Sequence, residues 1–350
     1  MEIIGEIHGI KYQQKLSDTK YKEYDISELK EALLSKSKFL LNVDAINKFA
    51  VSWWVSAKRT RSYPYARLYD ILAYTGKKIT VIPAYKDEGK DGDRDFLQWD
   101  TISLMSLLGV NVIISYYKSA DKNKKYNDKI TNQRFDAEHI LDEIKKITSY
   151  QSDALHWNLE QVDNIINLTQ KAVEAYKKIS CDTKVNMHSE QKISEKIELL
   201  KKDRDNFMNL SRKLSKEAQK REIVTIQPKE DIIIGEKATI TISNYLGGYY
   251  FFTADEARIL DKSINLIEAK HSSKSKLPSL NDIKDGLIKM MLYSNLRKIK
   301  TNSEECEVKP ILKLTTAKSG ELTSRQLNIL NLLKEEAALN GFFIEYTGRD

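Results

Sequence analysis

Glu268, Ala269 and Lys270 close the run Ile264-Asn265-Leu266-Ile267-Glu268-Ala269-Lys270-His271, which reads as a buried strand ending in charge. Side chains alternate along a strand, so an acid and a lysine two apart project from one face. The segment before it is rich in Phe and Tyr and passes through Ala254-Asp255-Glu256. An acid on one strand of a hairpin would then stand beside Glu268 and Lys270 on the other. Phosphodiester hydrolysis needs an activated water, counter-charge for a pentavalent phosphorane and help for the departing oxygen. Mg²⁺ supplies all three when carboxylates hold it and leave coordination positions open. Asp255, Glu268 and the backbone carbonyl of Ala269 suffice as metal ligands, with Lys270 orienting the water.

The hairpin leaves an ambiguity. A two-residue Asp261-Lys262 turn sets Asp255 opposite Glu268. With one more loop residue Glu256 takes that place, because a one-residue slip moves every side chain to the other face. Asp255 is favoured, since the small Ala254 before it lets the strand bend. Glu256 stays the alternative acid, and Asp261 a further one. The plain competing reading is a surface ion pair on an edge strand.

The elements that would position these groups lie in the last of three regions. From 223 to 350 the segments are short and sharply punctuated. Strands are expected at 239–243, 249–260, 264–271, 309–315 and 342–346. Ser279-Leu280-Asn281-Asp282 reads as a cap opening a helix to about 296, and Thr323-Ser324-Arg325-Gln326 as a second capping box. Asn340-Gly341 closes that second helix. The order βββαβαβ predicts an α/β core with a mixed sheet. From 136 to 222 the chain is charged and helically spaced, which predicts a helical bundle or hairpin with a break at Asp182 and Thr183. From 1 to 135 it is mixed and aromatic. There 26–49 has helical spacing, and strands at 78–85 and 110–117 flank a helix at 101–108 in a βαβ-like unit.

Bulk properties bound the classes. The chain has 350 residues, 31% charged and 41% hydrophobic, with a net charge of +7, a mild basic excess that suits a polyanion. Cys181 and Cys306 are its only cysteines, too few for a disulfide framework, so a reducing compartment is expected. The start lacks the pattern of a signal peptide and the most apolar stretch is broken by Gly109 and Asn111. The expectation is a soluble cytoplasmic protein without a membrane partner. There is no P-loop, GxGxxG, HxH or HExxH spacing, which argues against ATP-driven, dinucleotide and zinc chemistry.

The densest basic-aromatic segment runs from Trp53 to Tyr69 and carries Lys58, Arg59, Arg61 and Arg67 among Tyr63, Tyr65 and Tyr69 without an acid. Such cations neutralise phosphates and read guanine edges, so Lys58, Arg59, Arg61, Tyr63, Tyr65 and Arg67 are candidate DNA contacts. Trp53 and Trp54 read rather as core. Directly after the catalytic strand, Ser272, Ser273, Lys274 and Lys276 suit phosphate contacts, with a solvated loop as the plain alternative. The acids of 87–95 miss the calcium-loop spacing and read as a turn whose charges fix it against the basic segment.

Ala254-Asp255, then Glu268-Ala269-Lys270, then a loop and a capped helix resemble the PD-(D/E)XK nuclease superfamily, and the type II restriction endonucleases most closely. Ala254 stands where that family usually has proline, and the match covers about 224–346. Arg61-Ser62-Tyr63-Pro64-Tyr65 and Asp91-Gly92-Asp93-Arg94-Asp95 also resemble paired segments of restriction-enzyme chains, without a role for either. The resemblance implies Mg²⁺-dependent cutting of double-stranded DNA at specific sites by a prokaryotic homodimer. A cognate methyltransferase would act on the same site. Asp255 and Glu268 take the family's metal-binding positions and Lys270 its catalytic lysine. The rivals are another nuclease of the superfamily, for repair or modified DNA, and a non-catalytic DNA-binding scaffold.

Overall fold

A computed structural model describes residues 1–17, 20–56, 62–189, 191, 193, 195, 236–244, 249–260, 263–301 and 304–349. The chain divides into two units, Met1–Asp18 with Arg212–Asp350, and Thr19–Ser211. Both are mixed α/β. The three-region reading is corrected at two boundaries. The first residues belong with the C-terminal part, and the helices after 136 belong with the mixed N-terminal part.

The unit that holds Glu268 is built on an eight-stranded sheet in the order Glu304–Glu305, Arg297–Thr301, Glu2–Ile7, Glu236–Asn244, Tyr249–Leu260, Ser263–Ser272, Glu307–Ser319, Phe343–Arg349. The central three pair as an antiparallel meander, and Ser263–Ser272, Glu307–Ser319 and Phe343–Arg349 pair in parallel. The latter pairings require crossovers, supplied by the helices Leu280–Tyr293 and Ser324–Asn340. The expected strand and helix order is present, with Arg297–Thr301 and Glu304–Glu305 inserted after the first helix. Glu2–Ile7 joins in parallel with Glu236–Asn244.

Both helices start and stop where their caps dictate. Ser279 accepts the Asp282 N–H, and the box formed by Thr323 and Gln326 is closed in both directions. Gly341 ends the second helix at φ 71°, a left-handed turn that a Cβ would strain. Ile264, Leu266, Ile267, Leu312 and Leu314 are buried along the two parallel strands. Each such side chain contributes roughly 1.5–3 kcal/mol, which fixes the register on which the site depends.

In the other unit a five-stranded sheet runs Glu23–Asp25, Lys38–Asn42, Lys48–Trp53, Lys78–Pro83, Asn111–Ser115. The last two strands are parallel around the helix Trp99–Leu107, the expected βαβ-like unit. The helix expected over 26–49 is corrected: it ends at Ser35, and an antiparallel hairpin follows. Phe39, Leu40 and Leu41 are consecutive and all buried, which suits a covered strand rather than a one-sided helix. Asp44 Oδ1 accepts the N–H groups of Ile46 and Asn47 at 2.8 Å and fixes the turn.

The helical region is likewise not a separate bundle over its described residues. Ile140, Ile144, Ile147 and Trp157 pack into the core of this sheet. Helix Ala154–Asp163 also satisfies the edge strand. Asn158 accepts the Val112 N–H at 2.6 Å and donates to Val110, Gln161 accepts from Ile114, and the Trp157 indole donates to Val112. Those side chains do what a neighbouring strand would do. Helix Ile165–Thr183 ends at the expected break, with Lys184 left-handed. Among the described residues no helix is long and apolar enough to cross a membrane.

Candidate active site

Pairing between the Asp255 strand and the Glu268 strand runs from Leu260↔Ser263 to Glu256↔Ile267 without a slip. Two residues therefore join the strands, Glu256↔Ile267 is the last regular pair, and the Asp255 strand bulges against Glu236–Asn244 between Ala257 and Ala254. The turn itself, Asp261 and Lys262, lies outside the described residues. Glu256 falls on the opposite face, where its carboxylate meets Arg258 Nε at 2.5 Å and Lys313 Nζ at 3.6 Å. Of the two alternatives, Asp255 shares the face of Glu268.

The regular pairing stops at the site. Beyond Glu256↔Ile267 the Ala269 N–H is taken by the Asp255 carboxylate, at 2.8 Å. A side chain replaces a ladder bond, so the two strands open where the acids stand.

Glu268 is 1% exposed. Lys270 Nζ lies 2.8 Å from its Oε1, and Lys289 Nζ, reaching in from helix Leu280–Tyr293, lies 2.7 Å from its Oε2. Lys270 also meets Asp285 of that helix at 2.5 Å. Gly286 permits the close approach. A Cβ there would stand 2.6 Å from Leu312 Cδ1 and 3.3 Å from Lys270 Cε.

Charge follows from this packing. Burial pushes the Glu268 carboxyl up, but Lys270 and Lys289 outweigh it and hold it at about 2. Burial pulls Lys270 down, and Glu268 and Asp285 outweigh that and raise it. Lys289 is raised by Glu268, Tyr293, Asp255 and Asp285 against its own burial. Lys270 is therefore a fixed cation at neutral pH, able to orient water or offset phosphorane charge but not to abstract a proton.

Among the described residues no group of three or more His, Cys, Asp or Glu side chains forms a metal cage. Mg²⁺ does not need one. It keeps several waters and is commonly held by one or two carboxylates plus phosphate oxygens. Asp255 and Glu268 offer hard oxygens on one face, and Glu268 already carries a cation, the Lys289 ammonium, on Oε2. Asp255 and Glu268, with the Ala269 main-chain carbonyl, are the groups that would hold a single Mg²⁺.

Of the loop candidates, Ser273 and Lys274 are exposed, whereas the Ser272 hydroxyl accepts the Ser275 N–H and Lys276 donates to the Glu321 carbonyl. In the other unit Tyr65 is 2% exposed, which leaves no ring face for a base. Arg67 lies 4.6 Å over the Trp53 ring and donates to the Trp53 carbonyl. Trp54 is buried, as read for it. Lys58, Arg59 and Arg61 lie outside the described residues, as does the Tyr63 side chain. Before Trp99, Tyr85–Asp87 and Arg94–Phe96 form a short antiparallel hairpin, in which Asp87 is buried and accepts from the Tyr85 hydroxyl and the Gly89 N–H and meets His188.

Asp285, Gly286 and Lys289 are site residues that sequence reasoning missed. The available signal was charge on a helix whose buried residues Ile283, Leu287, Ile288, Leu292 and Tyr293 are spread around its circumference. Such a helix is buried on most sides, so its charges need buried partners. No family model, no curated protein and no solved structure matches this chain.

Proposed function

We propose that the chain is a Mg²⁺-dependent endonuclease that cuts double-stranded DNA at specific sites, in the manner of a type II restriction enzyme with a PD-(D/E)XK-like core. What supports this reading is the opened ladder, with the Asp255 carboxylate on the Ala269 N–H next to Glu268, and Lys270 two residues on. Bound Mg²⁺ would polarise the scissile phosphate and acidify a water. Asp255 and Glu268 would hold it, with the Ala269 carbonyl. Lys270, kept charged and pinned by Asp285, would orient the water and offset charge on the phosphorane. Ser273 and Lys274 would touch the backbone, and the basic segment of the other unit would add to the grip. Two-fold DNA sites present two scissile bonds, which favours a homodimer. A methyltransferase of the same specificity would protect the host.

A second reading has its own support. Both oxygens of Glu268 are already held by ammonium groups, as in a buried ion-pair network of a non-catalytic DNA-binding scaffold. The two readings part in one experiment: purified protein, unmethylated phage DNA, Mg²⁺ or chelator, and Glu268→Ala and Lys270→Ala controls. Discrete Mg²⁺-dependent fragments, lost in both variants while DNA binding persists, are expected. A smear lost in both variants points to a non-specific nuclease of the same chemistry. Salt-sensitive binding with no cutting of any substrate leaves the scaffold.

A further inference from the structure

One carboxylate in this site holds two ammonium groups, one on each oxygen, and the two are anchored differently. Lys270 Nζ bridges Glu268 Oε1 and Asp285 Oδ2. Lys289 Nζ meets Glu268 Oε2, and among the described residues Glu268 is the one carboxylate within ion-pair distance of it. Asp285 and Lys289 are four apart on helix Leu280–Tyr293 and so reach toward the sheet together, one turn apart. A cation entering against Asp255 and Glu268 therefore finds Oε2 taken by the more loosely tethered lysine. Two cations cannot share that oxygen at close range without strong repulsion.

We infer that Lys289 is an exchangeable counter-ion of Glu268. Its ammonium occupies the divalent-cation position, leaves the carboxylate when the cation binds, and then contacts the phosphate brought beside it, while Asp285 keeps Lys270 in place. Lys289 is thus a positioning residue in the resting protein and a substrate contact in the loaded one. The inference rests on the assignment of Asp255 and Glu268 as cation ligands.

The test is calorimetric titration of the full chain with Mn²⁺ alone, for the wild type, Lys289→Met and Glu268→Gln. Lys289→Met keeps the length of the side chain and removes the competing charge, so about tenfold tighter Mn²⁺ binding is expected. Glu268→Gln should lose binding. Equal or weaker binding by Lys289→Met, with Glu268→Gln still defective, overturns the exchange while leaving the cation site standing. Absence of Glu268-dependent binding in both the wild type and Lys289→Met overturns the site and the exchange together. Should Lys289→Met not fold, the wild type suffices. Amine acylation read by mass spectrometry should label Lys289 at least about twofold more with Mn²⁺ present, relative to Lys270. An unchanged ratio overturns the inference.

Discussion

Glu256 and Glu268 are each 1% exposed, each paired with two basic groups, and they lie on opposite faces of one sheet. Around Glu256 stand Arg258, Lys313 and Glu345, the last paired in register with Lys313 and felt electrostatically by Arg258. Acids and bases balance there. Around Glu268 stand Asp255 and Asp285 with Lys270 and Lys289. Acids and lysines meet there too, but the ladder opens between the strands. A buried carboxylate survives only when its charge is matched. A carboxylate beside a closed ladder is complete in itself, whereas an opened ladder leaves main-chain groups free for a further ligand. The difference between the faces lies in backbone pairing, not in burial.

The sharpest way to break this comparison is to neutralise each glutamate in turn. Glu268→Gln is expected to lower Mg²⁺-dependent cleavage by about three orders of magnitude, the several kcal/mol a metal supplies to a developing charge. Glu256→Gln should leave the cleavage rate within about threefold, because its carboxylate is on the other face. Single-turnover cleavage measures both. Equal losses in the two variants would mean that the fold, not the chemistry, was being measured.

Acid titration probes the Glu268 face next. Glu268 holds a folded-state pKa of about 2 against its ordinary 4.5. Its contribution is fully present above the unfolded value and is lost as pH falls through the folded one. The shift corresponds to stability on the order of 3 kcal/mol. Urea unfolding at about pH 6 and about pH 2 should show that loss in the wild type and a smaller one in Glu268→Gln. An equal loss in both would assign the acid sensitivity to other carboxylates.

How much of this was legible depends on how local the cause was. The Asp255 strand, the caps at Ser279 and Thr323 and the stop at Gly341 follow from neighbours in sequence, and they stand where expected. Which of Asp255 and Glu256 shares the face of Glu268 hung on one turn length, which sequence left open; the Asp255 contact with Ala269 and the Glu256 contacts with Arg258 and Lys313 separate the two faces. Glu2–Ile7 was not legible, because its parallel partner, Glu236–Asn244, lies more than two hundred residues away. The 26–49 stretch misled because Phe39-Leu40-Leu41 and Phe49 mimic helical spacing when joined across an unread turn. Lys289 and Asp285 were hidden by amphipathic habit: charges on a helix are first read as solvated.

Asp285→Asn probes how Lys270 is held rather than whether it is present. The amide can still accept a hydrogen bond but no longer balances the ammonium. A cleavage rate lower by about 10- to 100-fold is expected, the usual cost of losing a group that orients a reacting one. The KM for DNA should hold, because Asp285 would not touch the substrate. A rise in KM at unchanged kcat would place Asp285 in binding instead and blur the distinction between the two faces.

The smallest effect belongs to the balanced face. Arg258 is 35% exposed and donates one charge-assisted hydrogen bond to Glu256. Arg258→Ala removes that bond but leaves Lys313 at 3.6 Å to offset the buried carboxylate, and water reaches the vacated position. A stability loss of about 1.5 kcal/mol is expected, near the lower end for a bond to a charged group. Cleavage by the folded fraction should be unchanged. Thermal melting beside a cleavage assay below the transition measures both. The loss should be half or less of the acid-dependent one on the Glu268 face, because the partner removed is exposed and a second cation stays. If Arg258→Ala slows cleavage as much as Asp285→Asn does, the sheet transmits charge or strain between its faces, and the opened ladder alone no longer identifies the site.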